Sequence, residues 1–321
     1  MNARNSRSPV AWVPDQEDAG ILAARVPEVE IEAWSGTGAM PGSADDVEFV
    51  VAPLFATDEF WCALPKLPKL RHLQLISSGY DNAIGHVPQN VALANGRGIH
   101  DVPVSEWVLA AILAQQRDLP KSFADQRAHR WDRKTVRTLN HQHVLLVGYG
   151  SIAHAVEERL APFGVTVDRI ATTARDRVHG VEELPALVGS ADIIVLLLPD
   201  SAMTRGLISR DILALMKDDA LIVNAGRGGV LDEGALIDEL ARGRLRAALD
   251  VFAEEPLPTD HPIWDSPRLL LTPHAASDAA GKEERIRDFL TGQLELVAQG
   301  STPANVIHPR EYQAEQPRNA E

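Results

Sequence analysis

The sequence predicts an α/β protein of two domains, one of them built on a doubly wound parallel sheet. Short β-rich runs alternate with helical patterns, which is typical of βαβ units. The length of 321 residues fits about two domains of ordinary size. Residues 143–147 and 193–198 are apolar almost throughout, as expected for strands covered by helices on both faces.

The first elements in chain order are two strands, predicted at 47–54 and 73–76. Residues 102–119 predict a long helix whose first three turns are apolar. Residues 120–140 are polar and charged, with Trp131 as an isolated aromatic side chain. This segment is predicted to be an excursion from the fold.

The strand at 143–147 is followed by a glycine-rich loop and by a helix that reaches Phe163, where Gly164 ends it. Further strands are predicted at 165–171, 193–198, 220–224, 247–251 and 269–272, with helices at 209–216 and 231–242. Residues 101–278 therefore form one predicted domain. Residues 1–100 and 279–321 form the other, joined by a helix after Gly281, so the chain crosses between domains twice. The polar tail 309–321 is predicted to be frayed.

The charge balance favours small molecules as partners. Asp and Glu number 45 against 31 Lys and Arg, a net charge of −14. Nucleic acid and anionic lipid both require clustered cations, so neither is expected, although a local basic pocket for a small anion is allowed. The N-terminus lacks the apolar core of a signal peptide, and the longest aliphatic run is far short of the ~18 residues that span a bilayer. These features predict a cytoplasmic protein.

The single cysteine and the paired histidines are given structural interpretations. Cys62 cannot form an internal disulfide and is predicted to be a small buried apolar residue. His141 and His143 could ligate a metal, but they directly precede a buried strand and lack further ligands nearby. No metal site is expected.

A nucleotide-binding loop follows the strand at 143–147. Gly148, Gly150 and Ala153 have the G-x-G-x-x-A spacing. The first glycine permits a tight turn, the second lets the backbone approach a pyrophosphate, and the alanine allows close helix–strand packing. The helix that follows offers free N–H groups to the anion. Because the motif lies between a strand and a helix, nucleotide binding is favoured over an ordinary turn.

The next strand favours NADP over NAD as the cofactor. An NAD site usually has an acidic residue at the end of this strand. Asp168 lies mid-strand instead and is interpreted as a strand residue that faces solvent or a pocket edge. Thr172, Thr173 and Arg175 follow the strand and could bind a 2′-phosphate. Arg175 as a plain surface arginine remains the alternative.

Five motifs in order resemble those of the D-isomer-specific 2-hydroxyacid dehydrogenases. The family includes glyoxylate/hydroxypyruvate reductases and phosphoglycerate dehydrogenases. The motifs are Ser78-Gly-Tyr-Asp81, Gly148-Tyr-Gly-Ser-Ile-Ala153, Asn224-Ala-Gly-Arg-Gly228, Leu249-Asp-Val-Phe-Ala-Glu-Glu-Pro-Leu-Pro258 and Leu271-Thr-Pro-His-Ala275. The resemblance implies two Rossmann-like, doubly wound domains with the active site in the cleft between them. It also implies reduction of a small 2-keto acid to a D-2-hydroxy acid by NADPH or NADH, and the reverse reaction.

The same resemblance implies three catalytic residues. Arg227 matches the family's substrate-binding arginine, His274 its acid/base histidine and Glu255 the carboxylate that partners the histidine. Glu254 is interpreted as the exposed neighbour of Glu255. The related formate dehydrogenases carry Gln where Glu255 stands, which argues against formate as the substrate.

The remaining implied contacts concern the cofactor and the substrate. Ser78 and Gly79 match the loop that holds the substrate carboxylate through backbone N–H groups. Tyr80 replaces a small aliphatic residue of that loop and leaves the substrate's identity open. The further cofactor-binding positions are Ser151, Ile152, Pro199, Ala225, Gly226, Asp250, which matches the residue that meets the nicotinamide amide, and Ser277.

Two other functions remain open from the sequence. The C-terminal-binding-protein corepressors share the implied fold and act chiefly as scaffolds, and measurable turnover would separate them from an enzyme. The other is a Rossmann enzyme with different chemistry, such as adenosylhomocysteine hydrolysis. It ranks last, because this sequence lacks the extra Asp, Lys and Cys side chains expected for that reaction. The resemblance also implies a homodimer, for which the apolar face of residues 102–113 and the segment 126–139 are candidate contacts.

Overall fold

A computed structural model describes residues 7–307 of the chain. These residues form twelve β-strands and nine α-helices. The strands are β1 Val10–Val13, β2 Glu30–Ala33, β3 Val47–Val51, β4 His72–Gln74, β5 Ala92–Ala94, β6 His143–Val147, β7 Thr166–Ala171, β8 His179–Gly180, β9 Ile193–Leu196, β10 Leu221–Asn224, β11 Arg246–Leu249 and β12 Leu269–Leu271. The helices are α1 Gln16–Arg25, α2 Asp58–Ala63, α3 Asp101–Gln116, α4 Leu119–Arg127, α5 Ser151–Leu160, α6 Leu184–Val188, α7 Arg210–Leu215, α8 Glu233–Ala241 and α9 Lys282–Ala298.

The chain separates into two compact units, each with its own parallel sheet. Unit 1 contains the described residues up to His100 and those from Ala280 onward. Unit 2 contains Asp101–Ala279. The predicted α/β class with two sheets of parallel strands is confirmed. The predicted frayed tail lies outside the described residues.

Unit 1 is a five-stranded sheet in the order β2-β1-β3-β4-β5 with helices on both faces. Successive side chains of a strand point to opposite faces. Ala11 and Val13 accordingly pack with α1 and α9, where Leu22 and Leu294 are fully buried. Trp12, on the opposite face, joins a second cluster built around Phe60 of α2.

Unit 2 is a seven-stranded sheet in the order β12-β11-β10-β9-β6-β7-β8. One face is covered by α6, α7 and α8, and the other by α3 and α5. The central strands β6, β9, β10 and β11 are buried along almost their whole length, which explains their continuous apolar runs. The chain runs from β6 to β7 on one side and then returns to β9 on the other. The carboxyl ends of β6 and β9 therefore mark the switch point where such sheets bind ligands.

The structure corrects one prediction about the periphery and adds detail to another. Cys62 is exposed, because it lies on the outer side of α2 while its neighbours Trp61 and Ala63 face the core. The predicted excursion at 120–140 begins with a helix, α4, and only the residues after it lack regular structure. Trp131 in that stretch is 98% exposed.

Two further properties of the described residues bear on function. Within 7–307, no helix combines the length and apolar character needed to cross a bilayer. Nor do His, Cys, Asp and Glu side chains in this part of the chain gather into a group of three that could hold a metal ion.

Candidate active site

The glycine-rich loop leaves β6 at the switch point of unit 2. Gly148 has a φ of +100°, and a Cβ there would lie 2.7 Å from the carbonyl carbon of Leu197. Only glycine fits this turn without displacing the backbone after β9. Gly150 caps the N-terminus of α5, and Ala153 is fully buried against the sheet. The first-turn N–H groups of α5 are thereby available to an anion.

Two cofactor candidates directly follow the glycine-rich loop, and a recess lies beside it. Ser151 and Ile152 are the first two residues of α5. The hydroxyl of Ser151 donates to Asp101 Oδ1 at 2.9 Å, so its side chain already has an acceptor at the start of α3. A recess beside the loop is lined by Val147, Ile170, Thr172, Val181, Leu198 and Thr204. Thr204 also donates to the carbonyl of Pro199 at 2.6 Å.

Arg175 reaches back from the end of β7 to the glycine-rich loop. Its Nη2 donates to the carbonyl oxygen of Tyr149 at 2.7 Å, and its guanidinium lies 5.9 Å from the centre of the Tyr149 ring. Thr172 and Thr173 lie exposed between β7 and Arg175. Asp168 is a β7 residue, as predicted, and its carboxylate lies 2.8 Å from Nε2 of His143.

A charged network fixes the side chain of Tyr149. Its hydroxyl donates to Glu157 Oε2 at 2.5 Å, and Glu157 also pairs with Arg169. The hydrogen bond from Arg169 holds the pKa of Glu157 below its ordinary value. Burial and the bond to Glu157 raise the pKa of Tyr149 above its ordinary value. Sequence patterns did not predict this network.

Arg227 lies in the loop after β10, which Asn224 holds in shape. Asn224 is fully buried at the end of the strand. Its Oδ1 accepts the N–H of Gly226 at 3.0 Å, and its Nδ2 donates to the carbonyl of Arg227 at 3.0 Å. A buried amide that ends an apolar strand is the sequence signal for such a loop clamp. Ala225 and Gly226, two cofactor candidates, lie within this clamped turn.

The loops after β10 and β11 are packed backbone against backbone. A Cβ on Gly228 would lie 1.9 Å from the carbonyl carbon of Phe252, so no side chain fits. Glu233, the first residue of α8, adds a second link because its Oε1 accepts the N–H of Ala253 at 2.6 Å. Burial raises the pKa of Glu233. The position of Arg227 is thereby tied to that of the Glu255 loop.

His274 and Glu255 meet directly. Nδ1 of His274 lies 2.6 Å from Oε2 of Glu255, and Oε1 of the same carboxylate accepts the N–H of Phe252 at 2.8 Å. His274 has a left-handed φ of +50°, which His, Asn and Asp tolerate better than other residues. The carboxylate holds the ring through Nδ1 and leaves Nε2 as the nitrogen that can exchange a proton with a ligand.

Asp250 anchors the loop that carries His274. It is almost fully buried at the end of β11, and its carboxylate accepts three hydrogen bonds, from Thr272 Oγ1 at 2.6 Å and from the N–H groups of Ala275 and Ala276 at 2.9 Å each. Its carbonyl accepts the N–H of His274 at 2.7 Å. Ser277 follows the anchored segment. The family resemblance implies a role for Asp250 toward the cofactor, and it did not predict this anchoring.

The candidate substrate loop lies in unit 1, after β4. Asn95 Nδ2 donates to the carbonyl of Ser78 at 2.8 Å, and Ser77 Oγ donates to that of Gly79 at 2.7 Å. Among residues 7–307 no acceptor takes the backbone N–H groups of Ser78 or Gly79. Tyr80 packs partly buried against the core of unit 1.

The chain is similar to known proteins in sequence and in fold. Residues 109–276 match the family model for the D-isomer specific 2-hydroxyacid dehydrogenase, NAD binding domain. Glyoxylate reductase of Aeropyrum pernix is 33% identical over 286 residues, which cover 81% of this chain and 83% of that protein. D-3-phosphoglycerate dehydrogenase of Mycobacterium tuberculosis H37Rv is 34% identical over 259 residues, 76% of this chain and 48% of that protein. The chain thus spans about half the length of these longer relatives.

A solved structure agrees over nearly the whole chain. The D-isomer specific 2-hydroxyacid dehydrogenase from Xanthobacter autotrophicus Py2, crystallised with NADPH and MES, is 27% identical and has a TM-score of 0.84. The match covers 95% of this chain and all of that one.

Proposed function

Because the chain belongs to the D-isomer specific 2-hydroxyacid dehydrogenase family, we propose that it reduces a small 2-keto acid to the D-2-hydroxy acid with a nicotinamide dinucleotide, and catalyses the reverse reaction. Glyoxylate, hydroxypyruvate and pyruvate are the first candidates, since two of the similar proteins are named glyoxylate reductase and glyoxylate/hydroxypyruvate reductase. The single observation that carries the proposal is the contact between His274 and Glu255. Arg227 lies in the loop after β10, the strand next to β11 in the sheet.

The glycine-rich loop fits the phosphates of a dinucleotide. The turn at Gly148 has no space for a Cβ, and the first turn of α5 offers free N–H groups. When bound, the cofactor would supply the hydride. Gly148, Gly150, Ser151, Ile152 and Ala153 would hold its pyrophosphate, while Pro199, Ala225, Gly226 and Ser277 would line its nicotinamide half.

We assign NADP as the favoured cofactor. β7 ends at Ala171 and Thr172 follows it, so no carboxylate lies at the strand end, where NAD-specific sites place one. Asp168 is mid-strand and contacts His143. Thr172, Thr173 and Arg175 offer two hydroxyls and a guanidinium that suit a 2′-phosphate. The similar protein from Xanthobacter was crystallised with NADPH.

The chemistry of the three catalytic candidates follows from their geometry. Arg227 would bind the substrate carboxylate and polarise the adjacent carbonyl through its planar guanidinium. His274, protonated, would donate from Nε2 to the carbonyl oxygen as C2 is reduced, and in the reverse direction neutral His274 would accept the alcohol proton. Glu255 would keep the ring oriented and stabilise its positive charge. The free N–H groups of Ser78 and Gly79 are assigned to the substrate carboxylate, and Tyr80 to substrate selection.

We further propose a homodimer. Apolar side chains stand exposed at the start of α3, in α4 and in the stretch that follows, with Val102 47%, Phe123 58% and Trp131 98% exposed, whereas most of the apolar side chains at 102–113 pack in the core of unit 2. Apolar groups of this size at the surface mark candidate protein contacts. A single monomer mass by light scattering at micromolar concentration would contradict the dimer. The cytoplasmic location remains a prediction from the sequence.

The test is oxidation of NADPH, and separately of NADH, with a panel of 2-keto acids. We expect turnover with a short acid, lost in Arg227→Ala and in His274→Asn. His179→Asn is the matched control, because His179 makes a similar contact with Glu183 at 2.8 Å on the surface of unit 2. If the protein binds NADPH or NADH yet oxidises neither of them with any acid, the enzyme proposal fails and the corepressor-like scaffold takes its place.

A further inference from the structure

A cluster of arginines lies at the amino-terminal ends of β10, β11 and β12, the edge opposite to the one that carries Arg227 and His274. Asp219 lies two residues before β10, Arg246 begins β11 and Arg268 immediately precedes β12. Arg137, from the segment between α4 and β6, completes the group. We call these four residues the arginine cluster.

One carboxylate serves three guanidinium groups in the arginine cluster. Arg137 and Arg268 each pair with Asp219 through Nη2. Arg246 Nε lies 3.6 Å from Asp219 Oδ1 and donates to the Asp219 carbonyl at 3.0 Å. The cluster therefore carries two positive charges in excess.

The neighbouring charged groups do not remove this excess. Lys134 pairs with Asp118, and the group formed by Arg242, Arg244, Glu239 and Asp218 is balanced in itself. A local excess of positive charge is notable in a chain whose net charge is −14.

Arg246 is the least compensated member. Its side chain is 4% exposed, and Nη1 donates only to neutral acceptors, the carbonyl of Gln115 at 3.3 Å and Oε1 of Gln116 at 3.0 Å. Burial, with Arg137 and Arg268 adding repulsion, lowers the pKa of Arg246 to about 10. A buried cation with too little opposite charge is costly, and a bound anion would relieve that cost.

In the single chain, Arg137 and Arg268 offer donors that an anion from solvent could reach. Their side chains are 39% and 31% exposed. Asp219 is the only acceptor that the side chain of Arg137 contacts within residues 7–307. Asp219 and Arg268 both hold left-handed φ angles, +67° and +61°, so the backbone is strained where it presents the cluster.

We propose that the arginine cluster is a binding site for a doubly charged oxyanion, a phosphate group in particular. Arg137 and Arg268 would contact the oxyanion, and Arg246 would supply a buried positive charge beneath it. Guanidinium groups match the geometry of phosphate oxygens and bind them through paired hydrogen bonds. The site is separate from the proposed cofactor site and does not depend on it.

The test is isothermal titration of the full-length protein with inorganic phosphate at constant ionic strength. NADP and NAD are present in turn at saturation, so that the glycine-rich loop does not take up the anion. Glycerol phosphate is titrated in parallel, to learn whether the site prefers free phosphate or a phosphate ester. Arg137→Gln is expected to weaken binding about tenfold. Arg210→Gln, which breaks the balanced surface pair with Asp238, should leave binding unchanged.

Asp219→Asn separates an anion site from a merely structural cluster. Removing the carboxylate leaves three positive charges, and Asn tolerates a left-handed φ. We therefore expect tighter phosphate binding and a larger rise in melting temperature on adding phosphate than in the parent protein. A merely structural cluster would lose stability that phosphate does not restore. Absence of binding to the parent protein, or unchanged binding in both Arg137→Gln and Asp219→Asn, would overturn the proposal, and Arg137→Lys replaces the first variant if it fails to fold.

Discussion

Glu255 contacts both the ring of His274 and the backbone of its own loop, with Oε2 2.6 Å from Nδ1 of His274 and Oε1 2.8 Å from the N–H of Phe252. The two contacts fix the carboxylate at both oxygens. The orientation of the histidine ring is therefore set by the β11 loop as well as by the loop that carries His274.

Replacing Glu255 by Gln should slow catalysis without unfolding the site. Gln keeps an acceptor for Phe252 but loses the charge, and a hydrogen bond to a charged group contributes about 1.5–3 kcal/mol. We expect kcat/KM to fall about 10- to 100-fold. Glu254→Gln is the matched control, because Glu254 is the exposed neighbour. Equal losses in the two variants would show that the loss does not come from the contact between Glu255 and His274.

Replacing Gly228 by Ala should damage two loops at once. The added methyl group would collide with the Phe252 carbonyl and push the Arg227 and Glu255 loops apart. We expect a loss of about 1–3 kcal/mol in the free energy of unfolding, together with lower turnover. Gly234→Ala in α8 has its nearest neighbour 3.6 Å away and should be neutral or stabilising. Chemical denaturation and steady-state rates of both variants decide the matter.

Arg175 and Tyr149 should set the choice between NADPH and NADH. Arg175→Ser is expected to raise the KM for NADPH about tenfold or more and to leave the KM for NADH nearly unchanged. Tyr149→Leu removes the ring beneath the guanidinium, a contact worth about 0.5–1 kcal/mol, and should give about a two- to fivefold effect in the same direction.

Tyr149→Phe separates the ring from the hydroxyl. It keeps the contact with Arg175 and removes the hydrogen bond to Glu157, so the cofactor preference should stay that of the parent protein. A parallel rise in both KM values in Arg175→Ser would contradict the role given to the arginine.

His72 should make the protein less stable in mild acid. Burial lowers the pKa of His72 below its ordinary 6.5, and its Nδ1 is buried with no hydrogen-bond partner among the described residues. At pH values between this lowered pKa and 6.5, His72 binds a proton more readily in the unfolded chain than in the folded one. The free energy of unfolding therefore falls as the pH falls through that interval. Thermal unfolding of His72→Gln should depend less on pH there than that of the parent protein. His129→Asn, at an exposed turn, should behave like the parent.

The sequence predicted the elements whose burial gives a strong pattern. Strands β6, β9, β10 and β11 are buried on both faces, so their apolar runs predicted them to within about two residues at each end. Strands β1, β2 and β5 have only three or four residues each and were not predicted. Length alone does not explain the difference, because β9, β10 and β11 also have four residues each. β2 is partly exposed along its length and has no continuous apolar run.

Contacts between residues that are far apart in the chain could not be predicted from sequence patterns. Asp250 is 22 to 26 residues from the groups that it anchors, and Arg137 is 82 residues from Asp219. Only the fold brings such side chains together. Cys62 was misassigned because a helix as short as α2 turns one residue outward between two buried ones.

The exposure of that thiol has a practical consequence. Cys62 is the only cysteine in the chain and lies on the surface of unit 1. A maleimide dye or a nitroxide label would therefore attach at one defined position without any prior mutagenesis. The spectroscopic signal of the label would report on unit 1 alone while cofactor and acid are titrated into the protein. The active-site residues would remain unmodified.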